Sequence, residues 1–288
     1  MGAPLVVTVG RLTYGSPGAP HSQGTPERHQ PMHPVRFTAE TSSNGVVERD
    51  FTVGEVPGVL WSPVSGPDHA PLVLMGHGGG LHKKTPGLLA RAHDTVTTWG
   101  FTVVAIDAPG HGDRPRTAED EQARADLRQA LAAGDTERFE SVSVRYVTSL
   151  AERAVPEWQA TLDALQKLPG IGTEAPIGYG GGISLGTAIG IPLTAVEPRI
   201  TAAIFGGGFF VHQALIEAAR RITVPIQFLL PLDEEYVDRQ SVLALFDAFA
   251  SKDKTLLANP GTHRAMRWVG IDREFLARHL AQAGASAA

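Results

Sequence analysis

Short apolar runs alternate with amphipathic stretches along most of this chain, and that alternation is the strongest constraint on its fold. Residues 71–76 (Pro-Leu-Val-Leu-Met-Gly) are continuously apolar, as a strand buried on both faces must be. A helical pattern over 86–99 follows and stops at Gly100; residues 101–106 then form a second buried run. Further strands are expected at 177–179, 200–205, 224–230 and 255–258, with helices at 184–195, 211–221, 239–250 and 272–283. Upstream, 46–53 and 56–61 are split by Gly54 and read as half-buried strands of an opening hairpin. Strands separated by helices need right-handed crossovers, so the expected architecture is α/β: a mostly parallel twisted sheet with helices on both faces. Residues 114–152 are charged and helical and read as a cap inserted over one end of the sheet, with another amphipathic helix at 155–168.

The expected organisation is a Pro/Gly-rich mobile tail over 1–34 and one domain over 35–288. His29 and His33 in that tail have helical spacing, but proline-flanked spacing of this kind is expected by chance rather than as a metal site. Lys plus Arg is 25 against 30 for Asp plus Glu, a net charge of −5 with no long basic run, which argues against a nucleic-acid partner. No apolar run reaches about 18 residues, so no transmembrane helix or membrane association is expected. The apolar stretch 4–9 is too short for a signal-peptide core and no basic residue precedes it, so a cytoplasmic location is expected. There are no cysteines, which removes disulfides, thiolate metal sites and cysteine nucleophiles together. Nothing in the sequence reports the oligomeric state.

Three placements carry chemistry. Gly182-Ile183-Ser184-Leu185-Gly186 follows a short strand and opens a helix, the setting of a strained turn that lifts a serine hydroxyl clear of the sheet. A dinucleotide fingerprint is rejected, because Ile183 or Leu185 falls where its third glycine would stand. His77-Gly78-Gly79-Gly80 follows the strand at 71–76. Glycines there let backbone N–H groups approach an oxyanion, each worth about 3–4 kcal/mol in the transition state. The N–H of Gly79 and that of Leu185 are the expected donors, with His77, Gly78 and Gly80 around the substrate. A serine nucleophile also needs an acid and then a histidine in chain order. Asp233 and Glu234 follow the strand at 224–230, and His263 lies in the loop after the strand at 255–258. His279 falls in a helical pattern and is set aside. Phe209 and Phe210 are expected either at the substrate pocket or in the core.

With these residues in place the chain resembles the α/β-hydrolase superfamily, and within it the serine esterase and dienelactone-hydrolase-like branch, over about 46–284. The matching parts are the 77–80 turn, the loop Asp107-Ala108-Pro109-Gly110-His111-Gly112, the Ser184 elbow, the acid loop 233–237 and the Gly-x-His turn 261–263. The resemblance implies a serine hydrolase with an eight-stranded type of sheet and no cofactor or metal. Dienelactone hydrolases use a cysteine nucleophile, which this chain lacks. Counting back three from Val237, as in the family's loops, points to Glu234, with Asp233 the alternative acid. The run Gly180-Gly181-Gly182 is richer in glycine than the family pattern and suggests a looser or bulged approach to the elbow. Asp107, His111 and Asp113 are not expected to bind a metal, and His111 is expected to hydrogen-bond within its loop or border the pocket; Lys83 and Lys84 are expected to be a solvated helix start. The expected activity is cleavage of small-molecule carboxylic esters through Ser184, His263 and Glu234. Lactone, thioester or amide cleavage at the same site, and a non-catalytic binding protein, are the alternatives.

Overall fold

A computed structural model describes residues 33–67, 69–265 and 270–287. The tail expected over 1–34 therefore lies outside the described residues except for His33 and Pro34, and His29 lies outside them altogether. Among the described residues the frame is a nine-stranded sheet. Its strands are β1 (Val35–Ser43), β2 (Val46–Val53), β3 (Val56–Pro63), β4 (Leu72–Leu74), β5 (Thr102–Ile106), β6 (Ile177–Tyr179), β7 (Ile200–Gly206), β8 (Ile226–Pro231) and β9 (Lys254–Asn259). The order is β1-β2-β3-β5-β4-β6-β7-β8-β9. The β1–β2, β2–β3 and β3–β5 pairs are antiparallel, and every pair from β5 onward is parallel.

Both faces are covered, as a parallel sheet requires. Helices α1 (Pro86–Trp99) and α7 (Phe275–Ala287) pack on one face through Leu88, Ala92, Val96 and Leu280, against Val73, Val103 and Ala105. The other face buries α3 (Thr136–Leu165), α4 (Leu185–Val196), α5 (Gln213–Ala219) and α6 (Arg239–Ala248) against Leu72, Leu74, Val104, Phe205 and Phe228. Local signals set the helix ends. Pro86 opens α1, and Gly100 closes it in the left-handed conformation, its N–H donating to Val96 O at 3.0 Å. A capping box of Thr117 and Asp120 starts α2 (Ala118–Ala133).

Two features differ from the sequence reading. The sheet has one more strand than the eight-stranded type, because β1 adds along the outer edge of β2 with nearly all its side chains exposed. The helical stretch over 116–168 is two helices, and α3 runs unbroken through Pro156.

The chain enters the sheet's centre at β4, crosses to β5 on one side, then returns to β6 on the other. Strand order therefore reverses at β4, and the carboxyl ends of β4 and β6 flank a crevice where α/β sheets hold ligands. Leu74 is in register with Tyr179, which brings the 76–80 turn beside the 180–186 turn.

Candidate active site

Ser184 sits at φ +60° and ψ −119°, between the end of β6 and the first residue of α4. A non-glycine residue at positive φ costs of order 1–3 kcal/mol and persists only where its surroundings hold it. Here Ser184 N–H donates to Gly207 O at 3.0 Å, and the Thr187 hydroxyl donates to Gly182 O at 2.6 Å while accepting from Gly206 N–H at 2.9 Å. The Ser184 hydroxyl makes no capping bond to the helix it opens, and it faces the crevice. The flanking glycines are needed for close approach: a Cβ on Gly182 would lie 2.6 Å from Gly76 O, and one on Gly186 3.0 Å from Gly76 C. The glycines before the serine are tightly packed rather than loose. A Cβ on Gly180 would lie 2.7 Å from Val73 Cγ1, and one on Gly181, at φ +31°, would run into the Ile204 carbonyl.

His263 and Glu234 meet across the loops that follow β9 and β8. The His263 Nδ1 is 2.8 Å from Glu234 Oε1 and 2.9 Å from Oε2, and His263 N–H also donates to Oε1. A carboxylate only accepts, so Nδ1 carries the proton and the Nε2 lone pair is left available as a base. Asp233 does a different job. Its Oδ2 accepts from Gly261 N–H at 2.7 Å and its own N–H donates to Gly261 O at 3.2 Å, lacing the two loops together. His279 lies on α7, 3.6 Å from Asp253.

The 77–80 turn is fixed from below. His77 Nε2 accepts from Ala108 N–H at 3.0 Å, so its Nδ1 carries the proton and donates to Gly78 O at 3.0 Å. Burial pushes the His77 pKa down to about 4, keeping this neutral tautomer. The folded pKa lies below the unfolded value of about 6.5, so acidification protonates the unfolded chain first. His77 therefore contributes fully above pH ~6.5, and about 3 kcal/mol is lost as pH falls from there to about 4. Urea unfolding across that window is expected to show a shallower acid slope in His77→Gln than in the wild type.

Lys83 is not a solvated residue at a helix start. It is 5% exposed, and its Nζ donates to Asp107 at 2.7 Å and to Asp113 at 2.5 Å. Asp107, 0% exposed, also accepts from Lys83 N–H at 2.8 Å and Asp113 N–H at 3.0 Å. Burial opposes both charges, but their mutual hydrogen bonds win, holding the Lys83 pKa above and the Asp107 pKa below their ordinary values. Lys84 is half-buried and pairs with Glu48 and Asp50. His111 bonds within its loop, Nδ1 to Pro109 O at 2.9 Å, and borders the cavity. Among the described residues no group of three or more His, Asp or Glu is arranged to hold a metal ion. Because Lys83→Met strands a buried carboxylate, it is expected to cost about 3–5 kcal/mol of stability in urea at pH 7. A loss below about 1 kcal/mol would contradict this account of the turn.

Two cavities meet at Ser184 and His263. One of about 330 Å³ is lined by Leu131, Phe139, Val144, Phe209, Phe210 and Glu234 among others. The other, about 900 Å³, is lined by the 77–80 turn, Leu185, and residues of α1, α2 and α3. Of the residues expected at a site, Gly79 and Leu185 share the larger cavity with Ser184, and Phe209 borders the smaller one. The Leu185 N–H is the first of α4, where helix donors have no intrahelical acceptor. Sequence reasoning missed the buried role of Lys83 and the arginines of the larger cavity.

No protein-family model matches the sequence, and no curated protein matches it. Solved structures do. The chain is similar to a cold-adapted esterase from an Arctic intertidal metagenomic library, solved with polyethylene glycol bound. The identity is 30% and the TM-score 0.64, over 87% of this chain and 98% of that one. It is also similar to an acetyl xylan esterase from Paenibacillus sp. R4, at 14% identity and TM-score 0.60, over 88% of this chain and 89% of that one. At the lower identity the likeness is one of fold.

Proposed function

The chain belongs to the α/β-hydrolase superfamily, in its serine esterase branch, and is a carboxylic ester hydrolase; from that premise we propose that Ser184, His263 and Glu234 carry the reaction through an acyl-enzyme. The observation that supports this most is the pairing of His263 Nδ1 with Glu234 at 2.8 Å on the wall that also holds the strained Ser184.

Ser184 Oγ attacks the ester carbonyl carbon while His263 Nε2 takes its proton. Glu234 holds the imidazole in the Nδ1–H tautomer and stabilises the imidazolium that forms. The carbonyl oxygen becomes an oxyanion, which the N–H groups of Gly79 and Leu185 stabilise. Collapse breaks the bond to the alkoxy group, and His263 returns the proton to the departing alcohol. Water then attacks the acyl-enzyme with His263 as base, releasing the acid and restoring Ser184. In this reading α2 and α3 form a cap, since Leu131, Phe139 and Val144 line the smaller cavity and Arg124, Leu127 and Tyr146 the larger. The smaller cavity, mostly apolar, takes an apolar arm of the ester.

The test is labelling with a fluorophosphonate, followed by mass mapping, beside turnover of 4-nitrophenyl esters. A label on the Ser184 peptide and ester turnover support the reading; an unlabelled wild type overturns it.

A further inference from the structure

The two cavities differ in charge. The described wall of the larger one carries Arg91, Arg124, Arg128 and Arg264 and no Asp or Glu. This is unexpected in a chain whose net charge is −5. Two of the three arginines on α3 are paired, Arg138 with Asp126 and Arg153 with Asp120. Among the described residues none of the four cavity arginines has a carboxylate partner. Arg124 and Arg128 stand four apart on α2, so they are side by side on one helix face, a like-charge arrangement that weakens a helix unless something neutralises it. Arg91 comes from α1, and Arg264 follows His263.

We propose that the larger cavity receives an anionic arm of the substrate: the ester carries a carboxylate, which Arg91, Arg124, Arg128 and Arg264 draw in while the scissile carbonyl lies at Ser184 and the apolar arm in the smaller cavity. The proposal rests on the esterase reading above. Guanidinium forks match carboxylates bidentately, and a concave wall of one charge sign concentrates the opposite ion. A neutral ester of the same shape leaves the guanidiniums unpaired, so the cavity selects by charge as well as by size.

The experiment compares charged and neutral esters of matched shape. Mono-4-nitrophenyl glutarate against its methyl ester places the anion on the acyl arm; 4-(butyryloxy)benzoate against its methyl ester places it on the alcohol arm. In at least one pair the charged ester is expected to exceed the neutral one in kcat/KM by about tenfold or more. That excess should shrink in about 0.5 M NaCl, because screening weakens exposed charge interactions. In the double variant Arg124→Gln/Arg128→Gln the ratio should fall toward one, while Arg145→Gln, exposed on α3 and outside the cavity wall, keeps it. Ratios at or below one in both pairs, or a ratio that the double variant does not move, overturn the proposal while turnover of the neutral esters leaves the esterase reading intact. A wild type that neither turns over the neutral esters nor takes the fluorophosphonate label overturns the esterase reading itself.

Discussion

Ser184→Ala is expected to lower kcat on 4-nitrophenyl esters by about 10⁶ and to abolish fluorophosphonate labelling. The size follows from the proposed action of Ser184, His263 and Glu234 as one unit. Without Oγ there is no atom for His263 to deprotonate and no acyl-enzyme, so only the oxyanion donors and binding remain. Stability separates a chemical loss from a folding one. Alanine keeps the Cβ and therefore the strain at φ +60°, so Ser184→Ala should unfold close to the wild type. Glycine removes that strain, and Ser184→Gly is expected to be as inactive but more stable by about 1 kcal/mol. A Ser184→Ala protein that keeps more than about 1% of wild-type kcat would remove Ser184 from the nucleophile's role.

The parts of this site that are legible in the sequence are those set by local geometry. The elbow needs glycines two residues to either side of Ser184, and the close approach of Gly182 and Gly186 to Gly76 shows why. His263 is legible from its position after the last strand. The strands buried on both faces, such as β5, are legible as unbroken apolar runs. Strand β1 is not, because every side chain after Val35 is exposed and the strand is held by backbone pairing with β2 and a surface pair such as Glu40 with Arg49, so no apolar alternation marks it. Lys83 is not legible for a different reason. Its partners Asp107 and Asp113 lie 24 and 30 residues away, and only the sheet brings them together. The same holds for the arginines of the larger cavity, which come from α1, α2 and the loop after β9.

The two adjacent acids call for the most discriminating comparison. Glu234→Gln is expected to lower kcat by about 10⁴, since an amide in place of the carboxylate no longer fixes the Nδ1–H tautomer or stabilises the imidazolium. Asp233→Asn is expected to cost tenfold or less, on the order of 1.4 kcal/mol in the barrier. Its amide oxygen can still accept from Gly261 N–H, which Asp233 Oδ2 holds at 2.7 Å, so the loops stay laced. The side chains divide the work by reach. Asp233, the shorter, closes on the backbone of the neighbouring loop, and the extra methylene of Glu234 carries its carboxylate to His263 Nδ1. The kcat/KM values of the two variants, measured on one ester, decide between the acids. If Asp233→Asn proves the more damaging and Glu234→Gln stays within tenfold, the acid is Asp233 and the Glu234 contact is only structural.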